Sequence, residues 1–480
     1  MLTVLLILIP LVAGLVTFGL KGSGPKMLGL IASLASLAVT VGALFQFRTD
    51  PGAAALKLDA SWIPQLGAKF TLGMDGMGLM LCLLTAISFL LIFIVIYNRE
   101  YERANSFYGL MLLSQAGLVG VFTAYDALLF YVFWELALIP VYFLCSLWGG
   151  EKRIPVTFKF FVYTFAGSLL MLVGLIYIYL QTPEHSFSYA SFVSGAVSPE
   201  DQSWLFWLFF VAFAIKMPVF PFHTWQPDAY EQSPTPVTMV LSGIMVKMGL
   251  FGVVRWLLPV LPKGAYMWSD VAIVLSIIGI IYASCIAIVQ SDIKRLIAYS
   301  SIAHIGLMSA AIFTNNEQGL QGMMVQMFNH GVNIIGLWII VEIIQNRLKI
   351  KNLNEMGGIA QYAPGIAIFL VVISLANIGL PLTNGFIGEF LMFSGLFQYN
   401  VWFMAVAGLG IILAAVYTLN MVQKVIFGQS NALTETTTDL KANELVVLIA
   451  ITGIILVLGF YPKPMLELVS STTELVNKVY

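Results

Sequence analysis

The sequence predicts an all-α polytopic membrane protein of about fourteen transmembrane helices, two of them broken. Three observations predict that class. Of 480 residues, 59% are hydrophobic and only 10% charged, whereas a soluble domain carries about a quarter charged residues. Runs such as "MLTVLLILIPLVAGLVTFGL" and "VAIVLSIIGIIYASCIAIVQ" can cross a hydrocarbon core of about 30 Å. Those runs are unbroken over about 20 residues, where barrel strands would alternate polar and apolar positions every second residue.

The spans fall near 1–20, 27–46, 76–98, 107–123, 127–147, 155–181, 204–220, 236–260, 270–290, 295–314, 320–345, 363–398, 402–427 and 443–461. The first has no basic residue before it and is followed by Lys21 and Lys26. A cleaved signal peptide has the opposite polarity, so it counts as a span. The twelfth is too long for one plain crossing and contains "LPLTNG", so it reads as a broken helix. The longest connectors, 47–75 and 182–203, are too short for a soluble domain, and no GxGxxG or GxxxxGK[ST] occurs. An even number of spans puts both termini on one side. The loops after odd spans hold fourteen Lys and Arg and the other side seven, with Lys216 and Lys247 inside spans. The positive-inside rule then places both termini outside.

A net charge of −1 predicts no nucleic-acid partner. Cys82, Cys145 and Cys285 lie far apart in apolar runs without CxxC or a Cys/His cluster. That gives no iron–sulfur, zinc or haem site and reads them as small core residues.

Six ionisable groups sit where lipid depth makes them expensive. Glu135 lies in the fifth span, Lys216 in the seventh, Lys247 in the eighth, His304 in the tenth, His330 in the eleventh and Glu389 in the twelfth. Each charge at mid-membrane costs roughly 2.5–3.5 kcal/mol on insertion scales, so such groups face the bundle interior and mark ion or proton paths. One buried Glu or Lys is explained by interhelical pairing alone. A titratable group on nearly every span from the fifth to the twelfth is not.

Two of them stand beside helix breakers. In "AFAIKMPVFPFHTWQPDAY", Pro218 and Pro221 free the carbonyls of Ala214 and Met217, which flank Lys216. In "GLPLTNGFIGEF", Pro381 and Gly385 precede Glu389. Irregular backbone at membrane depth needs protein or water to satisfy it. The two breaks are five spans apart, and an odd offset reverses direction across the membrane. That spacing predicts two inverted five-helix repeats, with domains at 1–106 (spans 1–3), 107–260 (spans 4–8), 261–430 (spans 9–13) and 431–480 (span 14).

The chain closely resembles the antiporter-like membrane subunits of respiratory complex I. "KMPVFPFHTWQPDAYEQSPTPVTMVLSGIMVKMG", "DIKRLIAYSSIAHIG" and "FNHG" carry the similarity. Within the family it is most similar to the M branch, the one related to mitochondrial subunit four. Glu389 stands where the L and N branches usually carry lysine, and the long lateral helix of the L branch is absent. Family proteins often have His where this chain has Tyr230, so that position is given no proton-carrying role.

The resemblance implies that Glu135 and Lys216 form the ion pair of one half-channel. Lys247 would be the central relay, His304 and His330 would continue it, and Glu389 would end the path at a second half-channel. It implies L- and N-type paralogues as neighbours, contacts with lipid, and FMN, iron–sulfur clusters and quinone in partner subunits, with no cofactor in this chain.

At about 4 Å and an effective dielectric of about 20, a carboxylate attracts an ammonium by about 4 kcal/mol. Lifting one proton against 100 mV costs about 2.3 kcal/mol. Parting Glu135 from Lys216 would therefore supply enough energy to send a proton inward. Three rivals remain open. A subunit of a multisubunit sodium/proton antiporter or membrane-bound hydrogenase shares the signatures. A stand-alone transporter would work alone, and a structural scaffold would need its charges only for assembly.

Overall fold

A computed structural model describes residues 1–195 and 197–479. Short polar side chains start several of its helices. Asp75 caps Gly76–Ile96, Asp126 caps Ala127–Trp148, Asp292 caps Ile293–Ile312 and Asn316 caps Glu317–Leu348, each accepting from free N–H groups of the first turn. Among the described residues, eleven helices are long and apolar enough to cross a bilayer by length and composition. Leu2–Thr17, Pro199–Lys216 and the pair Pro364–Asn377/Asn384–Tyr399 occupy the other expected places, and are shorter or more polar.

The chain folds into two compact units. One comprises Met1–Met217, Ile244–Ser269 and the chain from Glu467 on; the other comprises Pro218–Gly243 and Asp270–Leu466. In the first unit, small residues set the helix spacing. A Cβ on Gly117 would lie 2.5 Å from the backbone nitrogen of Ala137, so Ala104–Thr123 and Ala127–Trp148 touch backbone to backbone. A Cβ on Gly249 would lie 2.7 Å from the Phe213 carbonyl oxygen. That approach seats the end of Pro199–Lys216 against the helix bearing Lys247. In the second unit Glu317–Leu348 packs closely on Asn384–Tyr399, where a Cβ on Gly395 would lie 2.6 Å from Gly319.

Four features differ from the sequence reading. The seventh helix ends at Lys216 and does not run on to 220, because Pro218 has no N–H to continue the ladder and Met217 closes on Phe213 at 2.8 Å. Connector 47–75 contains an antiparallel hairpin, Leu58–Ile63 with Ala68–Leu72. The stretch after span 14 forms a further helix, Lys463–Val479. Cys285, read as a core residue, is exposed on its helix, while Cys82 and Cys145 are buried. One face of Pro262–Val289 is turned outward, and hydrophobicity does not distinguish a lipid-facing position from a core one.

Candidate functional site

The first unit holds Glu135, Lys216 and Lys247. Lys216 is 1% exposed, at the last turn of its helix. Its Nζ has no hydrogen-bonding partner among the described residues and lies 5.5 Å from the centre of the Trp134 ring, whose face attracts a cation. Glu135 follows Trp134 on the neighbouring helix and is within electrostatic reach of Lys216. The two make no hydrogen-bonded ion pair: Glu135 is half-buried and its buried Oε1 has no hydrogen-bonding partner among the described residues. Lys247 is fully buried in the Thr235–Val260 helix. π-helical turns flank it at Leu241–Met245 and Val253–Leu257. Such turns put a helix out of register and recur at functional positions.

The second unit brings His304, His330 and Glu389 together. His304 Nδ1 lies 3.3 Å from Glu389 Oε1, and the His304 and His330 rings are 5.6 Å apart. All three residues are buried. Asn377 Nδ2 lies 3.3 Å from His304 Nε2. With the amide nitrogen facing the ring, Nε2 accepts, so Nδ1 carries the proton that faces Glu389. The helix break supplies this geometry. Gly379, at φ +78°, presses against the Glu389 carboxylate so closely that no Cβ would fit. Leu382 also has positive φ, 75°, a conformation that costs a non-glycine residue about 1–3 kcal/mol and concentrates at functional sites. Asn333 Nδ2 donates to the Ala376 carbonyl at 3.2 Å and Asn329 Nδ2 to that of Asn384 at 2.7 Å, tying Glu317–Leu348 to the backbone on both sides of the break.

A family model described as "NADH:quinone oxidoreductase/Mrp antiporter, TM" matches residues 124–415, which include all six titratable groups. The chain belongs to this family. It is 37% identical over 457 residues to NADH-quinone oxidoreductase subunit M of Rickettsia typhi, covering 93% of this chain and 91% of that protein. A chain of respiratory complex I from Thermus thermophilus superposes with a TM-score of 0.90 at 29% identity, covering 99% of this chain and all of that one. A chain of the archaeal membrane-bound sulfane sulfur reductase superposes equally well, TM-score 0.90, at 23% identity over 99% of this chain and 98% of that one, a likeness of fold. Both solved relatives are chains of multisubunit membrane complexes.

In this antiporter-family chain, sequence reasoning missed the amides and hydroxyls that surround the titratable groups. Gln326, Asn329, His330 and Asn333 are buried at helical spacing on one face of Glu317–Leu348. That stripe was a usable signal: four polar residues in eight, "QMFNHGVN", inside a span. Asn377, Ser300 and Tyr417 gave no such signal, being isolated polar residues of ordinary type.

Outside the spans, Glu231 receives Lys351 at 2.7 Å and Arg295 at 3.0 Å, and Arg295 also reaches Asp228 at 3.0 Å. Burial presses the Glu231 carboxyl upward, but the hydrogen bonds and charges of Lys351 and Arg295 outweigh it and hold it below the usual carboxylate range. A depressed carboxylate stabilises the fold above its unfolded value and loses that contribution as pH falls through its folded value. Glu231→Gln should therefore cost about 1 kcal/mol at neutral pH. The difference from the native chain should shrink as pH falls below 4.5, read as thermal unfolding in detergent across pH. A difference that grew on acidification would refute this account.

Proposed function

We propose that the chain is the M-type antiporter-like subunit of a proton-translocating NADH:quinone oxidoreductase. Protons pass through Glu135, Lys216, Lys247, His304, His330 and Glu389, driven by quinone reduction in partner subunits. The observation that carries the reading is the buried His304–Glu389 contact at a helix break, 3.3 Å apart. A titratable pair at membrane depth, set on interrupted backbone, is how transporters build ion sites. The likeness to curated M subunits over more than nine-tenths of the chain supports it.

On this reading the protein lies in a bacterial inner membrane with both termini outside, between L- and N-type paralogues. FMN, iron–sulfur clusters and quinone belong to partner subunits. Residues 107–260 and 261–430 are the inverted repeats. Glu135 and Lys216, apart in this structure, represent the open state of a pair that closes during the cycle. Closing changes the lysine's hold on its proton by about 4 kcal/mol, more than the roughly 2.3 kcal/mol needed per proton at 100 mV.

Lys216→Ala and Glu135→Gln in the assembled complex should leave quinone reduction measurable and cut proton pumping about tenfold or more. NADH oxidation and a pH-sensitive dye in sealed vesicles measure the two. Full pumping in both variants would defeat the reading. Copurification in mild detergent with a flavin-containing NADH module separates it from an antiporter or hydrogenase complex.

A further inference from the structure

Beside the His304–Glu389 pair lies a cavity of about 30 Å³, lined by His304, Glu389 and Tyr417 together with Ala407, Gly410 and Ala414. Its existence follows from the sequence of Val401–Ile426. Residues 407, 410, 414 and 417 fall on one helix face; Ile280 packs against that face at Gly410, and the small Ala407 and Ala414 leave the space that reaches the Tyr417 ring. The volume suits one or two waters.

The polar end of the cavity is organised. Tyr417 is 1% exposed and its hydroxyl donates to Ser300 Oγ at 3.0 Å. Ser300 Oγ also accepts from Asn377 Nδ2 at 3.3 Å, the amide nitrogen that faces His304 Nε2. The phenolic hydrogen is thus committed to Ser300, and the Tyr417 oxygen is left as an acceptor at the cavity wall. The seam beside Glu389 between Glu317–Leu348 and Asn384–Tyr399 is shut by packing. A Cβ on Gly322 would meet Leu391 at 2.6 Å, and one on Gly395 would meet Gly319 at 2.6 Å. No water fits between backbones that close.

We propose that this cavity holds a water that takes the proton leaving Glu389, and that Tyr417, oriented by Ser300, is the acceptor that holds that water. In the step, the Glu389 carboxyl O–H breaks and the proton joins the water oxygen. The products are a carboxylate and a hydronium, and one hydronium O–H donates to Tyr417 Oη. The reverse step reloads Glu389. Tyr417 and Ser300 are positioning residues; Glu389 and the water exchange the proton. The inference rests on the relay reading above.

The test uses the assembled complex in sealed vesicles, with Tyr417→Phe, Ala414→Leu, Ser300→Ala and Ser300→Thr, and Glu389→Gln and Lys247→Met as reference variants. Tyr417→Phe and Ala414→Leu should pump about tenfold more slowly or worse, and Ser300→Thr should restore what Ser300→Ala loses. A high-resolution map of the native complex should show a water between Glu389 and Tyr417, absent in Ala414→Leu. Full pumping by Tyr417→Phe and Ala414→Leu, with Glu389→Gln inactive, overturns this inference alone. Full pumping by Glu389→Gln and Lys247→Met overturns the relay reading instead. If the Tyr417 or Ala414 variants fail to assemble, a native map without that water overturns the inference.

Discussion

Lys247→Met is expected to abolish proton pumping through this subunit while leaving the assembled complex intact. Methionine has nearly the length and volume of lysine and fills the same fully buried site. It also removes an ammonium that costs roughly 2.5–3.5 kcal/mol at membrane depth. What disappears is the buried ammonium that the proposed path uses on that helix. The π turns on either side, Leu241–Met245 and Val253–Leu257, remain, so the backbone stays as it is. The expected drop is about tenfold or more in dye-reported proton movement per NADH oxidised. A Lys247→Met complex that assembles and pumps at the native ratio would remove Lys247 from the path. Loss of assembly with pumping unaffected in the surviving complex would favour the scaffold reading.

Glu389→Gln should have an effect of similar size for a different reason. Glutamine keeps the size of the side chain and an oxygen that can accept from His304 Nδ1, which lies 3.3 Å from Glu389 in the native chain. The backbone at Gly379 and the amides of Asn329 and Asn333 still hold the break. An amide neither releases nor takes a proton at accessible pH, so the path stops at His304. Pumping should fall about tenfold or more with quinone reduction still measurable. Because the substitution is isosteric, native pumping would mean that the carboxyl is a structural hydrogen-bond partner and no more.

The two variants probe different kinds of legibility. Lys247 announces itself in the sequence because a charge in lipid is costly wherever its partners are. The same reasoning found Glu135, Lys216, His304, His330 and Glu389, and all but half-buried Glu135 are shielded. It also found the break before Glu389, since Pro381 cannot continue a helix. It did not find Asn377, Ser300 or Tyr417. A lone Asn, Ser or Tyr in a span is cheap, and its meaning depends on partners distant in the chain: His304 and Asn377 are 73 positions apart, Ser300 and Tyr417 117. Trp134 was missed as well. Its ring faces Lys216 because of the packing between helices, and an aromatic residue in an apolar run carries no sign of that.

The sequence by itself determined the membrane-spanning helical class, the places where helices break and the identity of the titratable groups. Each of those follows from local costs: transfer of a residue into hydrocarbon, or loss of a backbone hydrogen bond at proline. Only the tertiary structure decided which groups touch. It set His304 against Glu389, left Lys216 facing Trp134 and apart from Glu135, and opened a water-sized cavity under Tyr417. Those outcomes depend on how closely glycines let particular backbones approach, and that distance is fixed only when the helices are packed.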